Sequence, residues 1–147
     1  MQHAKMWMIG YLIIMSLVLT GCSTPVVATE AKVPPAVVEK IEGSELNRLI
    51  LTEKAAQRLG IKTDVVREEL VEGAQRLTVP YSAVIYDLEG GTWAYVSSDP
   101  LTFSRHPIMV DYIEGDRAVL SDGPEAGTAI VTVGVAELYG TDTGIGK

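Results

Sequence analysis

Few side chains in this sequence are of the types that attack, ligate or shuttle protons: one cysteine, Cys22, and two histidines, His3 and His106, among 147 residues. His106 and Met109 could open a soft-metal site. A defined site needs three or four convergent ligands, and no further ones fall into place, so the pair reads as a surface strand. Ser82 and Ser121 lack a nucleophile elbow, and His106 is the one histidine available to either. Glu68 with Glu69, or Asp111 with Glu114, would serve as general acid and base only if burial drove their pKa values apart. Nineteen acidic residues produce such neighbours by chance. Gly90-Gly91 reads as a hairpin turn, since no strand-to-helix phosphate loop follows it. The residues therefore assign no catalytic group, no metal ligand and no cofactor. One recognition surface stays open. Trp93, Tyr95 and Tyr112 could line an aromatic face for a sugar or peptide, although strand aromatics are more often core or cross-strand partners.

Cys22 ends a hydrophobic run. Lys5 supplies a positive start, and residues 6–19 are apolar except for Gly10 and Ser16. As a helix this run spans roughly 21 Å, short of the ~30 Å hydrocarbon core, which is signal-peptide length. Leu19-Thr20-Gly21-Cys22 resembles a bacterial lipobox. That resemblance implies that Cys22 is acylated, that residues 1–21 are removed, and that the protein is tethered by lipid to a membrane and faces outward. An ordinary signal peptide or uncleaved anchor with an incidental cysteine is the alternative. Ser23 resembles the pattern released to an outer membrane, so which membrane holds the protein stays open. With Cys22 acylated no thiol remains for a disulfide, and stability rests on an apolar core.

The formal net charge is −7; residues 1–21 carry Lys5 and no acid, so their removal makes it −8. The twelve basic residues are scattered singly, which argues against nucleic-acid binding and against a polybasic membrane patch.

Residues 22–43 read as the lipidated cysteine and a flexible tether, because Pro25, Pro34, Pro35 and Gly43 break any period and no aromatic seeds a core. A β domain is expected over 44–140, with a loop-like tail at 141–147. Leu46 to Leu51 suits a strand. Thr52 caps a two-turn helix with Ala55, Ala56 and Leu59 inside and Gly60 as its stop. Ile61 to Arg67 is a second strand. Leu70 to Val79 follows with a bulge or bend at Gly73. Ala83–Tyr86 and Thr92–Val96 flank a hairpin, with Trp93 and Tyr95 on one face and Ala94 and Val96 on the other. Phe103 to Ile113 is a longer run in which Pro107 marks an edge or a break. Turns at 114–116 and 123–127 lead into Arg117–Leu120 and Ala129–Val133. The expected fold is mainly β, a small barrel or roll of about six or seven short strands with one short helix.

Several stretches together resemble periplasmic adaptor subunits, or membrane fusion proteins, of tripartite efflux systems. Leu51-Thr52-Glu53-Lys54-Ala55-Ala56-Gln57-Arg58-Leu59-Gly60-Ile61 is similar to an early segment of that family. Val79-Pro80-Tyr81-Ser82-Ala83-Val84, Gly91-Thr92-Trp93-Ala94-Tyr95-Val96 and Gly115-Asp116-Arg117-Ala118-Val119-Leu120 are similar to its membrane-proximal domain, and Ala136-Glu137-Leu138-Tyr139-Gly140 to a closing segment. Full adaptors carry a lipoyl-like domain, a helical hairpin and a β-barrel domain in between. Here only residues 68–78 intervene, so the resemblance covers the membrane-proximal module alone and does not extend to channel docking. Together with the lipobox resemblance it implies a non-enzymatic, lipid-anchored envelope protein, an accessory or truncated adaptor acting by contact with a membrane transporter. A small-molecule or glycan-binding surface lipoprotein is the alternative, and a remnant of a longer adaptor is a third.

Overall fold

A computed structural model describes residues 33–145. The signal, the lipobox and Cys22 lie outside the described residues. Strand β1 (Ala36–Lys40) pairs antiparallel with β2 (Asn47–Leu51). Helix α1 (Glu53–Leu59) begins where the Thr52 hydroxyl accepts the Ala55 amide at 3.2 Å, and it stops where Gly60 turns left-handed at φ 63°. Both caps satisfy backbone groups that a helix end leaves open. Strands β3 (Lys62–Val65), β4 (Arg67–Val71) and β5 (Ala74–Pro80) follow. A 3-10 turn at Tyr81–Ala83 then leads to β6 (Ile85–Tyr86) and β7 (Thr92–Asp99). The chain closes with β8 (Thr102–Pro107), β9 (Met109–Glu114), β10 (Arg117–Asp122), β11 (Ala129–Val133) and helix α2 (Val135–Thr143).

These strands form two antiparallel sheets. The larger runs β1-β2-β8-β7-β11-β3 with β6 on the free end of β7, and the smaller runs β4-β5-β10-β9. Alternation along β7 explains the layering. Tyr95 enters one core with Leu49, Leu51, Phe103, Val131 and Leu138, on the side of the helices. Ala94 enters a second core with Val66, Val79, Ile108, Ala118, Leu120 and Ile130, between the sheets. A strand buried on both faces needs apolar residues at both parities, and Thr92–Val96 supplies them.

Four expectations change. Ala36–Lys40, inside the stretch read as tether, is an edge strand: backbone pairing with β2 outweighs the exposure of Val37 and Val38. At Gly73 the expected bulge or bend within one run is a full hairpin reversal, because Glu72 also takes a positive φ of 52° and the two turn the chain between β4 and β5. Eleven strands form among the described residues, more than six or seven: Ala36–Lys40 adds one, the runs at 61–67 and 70–79 become three, and the run from Phe103 breaks after Pro107 and passes from one sheet to the other. Of the stretch expected as a loop-like tail, Thr141–Thr143 form the end of a second helix, with Asp142 buried.

Candidate functional site

Polar chemistry concentrates on the helix side of the larger sheet. The Tyr95 hydroxyl on β7 donates to Asp142 Oδ2 on α2 at 2.8 Å. Asn47 Nδ2 on β2 donates to Asp142 Oδ1 at 2.7 Å and to the Asp142 carbonyl at 3.2 Å. Arg105 Nε on β8 lies 2.6 Å from Asp142 Oδ2; it is a close charge contact, but the N–H does not point along it and the buried nitrogen has no aligned acceptor. The guanidinium is covered by the rings of Trp93, at 5.1 Å, and Tyr139, at 5.8 Å. Burial, and after it the Asp142 carboxylate, pushes the Tyr95 hydroxyl far above the ordinary tyrosine range. It therefore remains the donor at any neutral pH. The Asp142 side chain exposes no surface, so this group clasps α2 to three strands and presents no open face to a substrate.

A second arrangement adjoins the first through Trp93. Asp87, at the β6–β7 turn, accepts the Glu89 amide at 2.9 Å and the Gly91 amide at 2.7 Å on Oδ1, and Trp93 Nε1 at 2.7 Å on Oδ2. The Trp93 indole N–H, then the Gly91 amide, holds the Asp87 carboxyl below the usual carboxylate range. Gly91 is required here, since a Cβ would stand 2.6 Å from Asp87 Oδ2 and 3.0 Å from Trp93 Nε1. Gly91→Ala should therefore break the clasp and cost about 1–3 kcal/mol, from overpacking and lost hydrogen bonds. Trp93 is the one tryptophan among the described residues, so its emission reports the loss directly. Unchanged emission and an unchanged unfolding midpoint would refute this account of the turn.

The aromatic face expected from the sequence does not assemble. Tyr95 is fully buried, Trp93 is half-buried under Arg105, and Tyr112 sits on β9 in the other sheet. Alternation correctly put Trp93 and Tyr95 together, but their shared face is the helix-side core. His106 is half-buried, and its Nδ1 is 2.7 Å from the carbonyl of Pro107. Among the described residues no three His, Cys, Asp or Glu side chains converge on a common point. The acid pairs are divided among arginines: Glu69 and Glu114 both pair with Arg117, and Asp111 with Arg76. Asn47, Arg105 and Asp142 were not legible as a group, because they lie far apart in sequence and Asp142 sits in a Thr-Asp-Thr stretch with no motif. An apolar groove of about 360 Å³ lies between β1 and α1, lined by Ala36, Leu51, Ala55 and Leu59 with Arg58 at its rim.

Two stacked antiparallel sheets, open at their edges, with helices against one of them, define a mainly β roll; no closed barrel forms among the described residues. No family model and no curated protein matches the chain. Among solved structures it is similar to the NMR structure of a 180-residue segment of SilB from Cupriavidus metallidurans CH34, encompassing the N-terminal metal-binding site and the membrane proximal domain of that protein. The identity is 24% and the TM-score 0.45, and the match covers 63% of this chain and 53% of that one.

Proposed function

We propose that this is a lipid-anchored envelope protein whose folded part corresponds to the membrane-proximal module of an efflux adaptor, acting by contact with a membrane transporter. The observation that carries the reading is where the adaptor-like stretches fall. Val79 and Pro80 end β5, Thr92–Val96 open β7 and Arg117–Leu120 open β10, so the stretches contribute to central strands of both sheets. The interval from Glu68 to Thr78, where an adaptor carries its other domains, is here the β4–β5 hairpin. The module is thus continuous across the point of departure. Cys22 as a lipid attachment site would confine it to one surface and raise its effective concentration near a membrane partner.

The test is crosslinking in the cell with the signal intact, beside Cys22→Ala, read by mass spectrometry. The expected result is a transporter subunit with the native chain and a loss of membrane association in the variant. Acylated protein that crosslinks to no membrane protein would overturn the reading.

A further inference from the structure

The β6–β7 turn holds a large apolar side chain rigidly away from the body of the domain. Leu88 is 94% exposed at its apex, and Tyr86 and Tyr81 beside it are 52% and 41% exposed. The two tyrosines are neighbours, since the Tyr81 hydroxyl, after desolvation, contributes to the upward shift of Tyr86. Single exposed apolar residues are ordinary on protein surfaces. This one is different because of what supports it. Asp87 ties the turn with two backbone amides and the Trp93 indole, and Asp87 and Gly91 are also joined by a backbone hydrogen bond of 3.0 Å. Trp93 is in turn stacked on Arg105, which contacts Asp142 in the core. The backbone that carries Leu88 is therefore held in place before any partner arrives, which lowers the ordering cost of binding.

The charge around it selects the partner. From Leu77 to Ser104 the sequence contains no lysine or arginine, while Asp87 and Glu89 flank Leu88 directly. Arg105, reached through Trp93, faces Asp142, and Arg117, opposite Pro80 beside Tyr81, is held by Glu69 and Glu114. An anionic lipid surface would be repelled by such a tip. We propose that the 86–89 tip is a docking element, with Leu88 as the anchor, for a protein surface that offers an apolar pocket rimmed by lysine or arginine. The proposal deepens the contact reading above and rests on it, but it does not require the lipid anchor.

The experiment places a benzophenone amino acid at Tyr86, which leaves both flanking acids in place, and separately at Glu68 and Glu125 on other surfaces, in the full chain expressed in its own envelope. The crosslinked peptides are then sequenced. The expected result is a Tyr86 adduct to an apolar peptide carrying Lys or Arg, formed far more readily than from the two control positions. Leu88→Ser should weaken that adduct roughly ten- to hundredfold with an unchanged melting temperature, because Leu88 supports nothing in the fold. An adduct to phospholipid, to a second copy of this chain, or to a peptide without basic residues would overturn the proposal, as would insensitivity to Leu88→Ser. Protein adducts from Glu68 or Glu125 with none from Tyr86 would overturn the tip alone. No protein adduct from any position would overturn the contact reading with it.

Discussion

Asp142→Ala is expected to lower the unfolding free energy by about 3–5 kcal/mol, a large part of the roughly 5–15 kcal/mol that a domain of this size has. Alanine removes the partner of three groups at once. The Tyr95 hydroxyl and the Asn47 amide lose their acceptors, and the largely buried Arg105 guanidinium loses its counter-charge. The cost lies in what is left behind, so removing both charges should cost less than removing one. The double variant Arg105→Met with Asp142→Leu is expected to recover the part of the loss due to the unpaired charge, while Tyr95 and Asn47 stay without their acceptor. Urea unfolding midpoints of wild type, Arg105→Met, Asp142→Leu and the double variant give the coupling. A wild-type midpoint for Asp142→Ala would show that this clasp does not hold α2.

Leu120→Ala is expected to cost about 2–5 kcal/mol, because the side chain is 2% exposed in the core between the sheets. Gly123 gives this prediction a second arm. A Cβ there would stand 3.0 Å from Leu120 Cδ1 and 3.4 Å from Ile108 Cγ2, so Gly123→Ala alone should be mildly destabilising. In the Leu120→Ala background the same methyl enters the vacated space and should be neutral or stabilising. The coupling expected between the two is about 1 kcal/mol, read from denaturant midpoints. Strict additivity would mean that the two positions do not share a cavity.

What the sequence made legible were features with local causes. Thr52 and Gly60 cap a helix wherever they flank a short apolar stripe, and both do so here. Pro107 cannot continue a ladder, and the chain leaves the larger sheet there. Alternation at Thr92–Val96 separated the two faces of β7, and the residues of each face entered different cores. The unread features depend on distant partners. Val37 and Val38 show no burial period, and β1 exists because β2 offers an edge to pair with. Gly140 and the threonines of α2 are poor helix formers, but Leu138 is fully buried and Asp142 is fixed from three strands. The candidate site fared worse than the fold. Trp93 and Tyr95 stood out as aromatics, yet their use is set by Asp87, Arg105 and Asp142, which no spacing rule connects to them.

Pro35 and Ala36, where the chain enters the domain, share the wall of one groove with Thr141 and Ile145, where it leaves. Entry and exit are therefore neighbours in space. A domain built this way suits circular permutation: a short peptide can join Ile145 to Val33, and new ends can be opened in the exposed 125–127 loop. It also suits insertion into the loop of a host protein, because both connections reach the host at one spot and need not force its own elements apart.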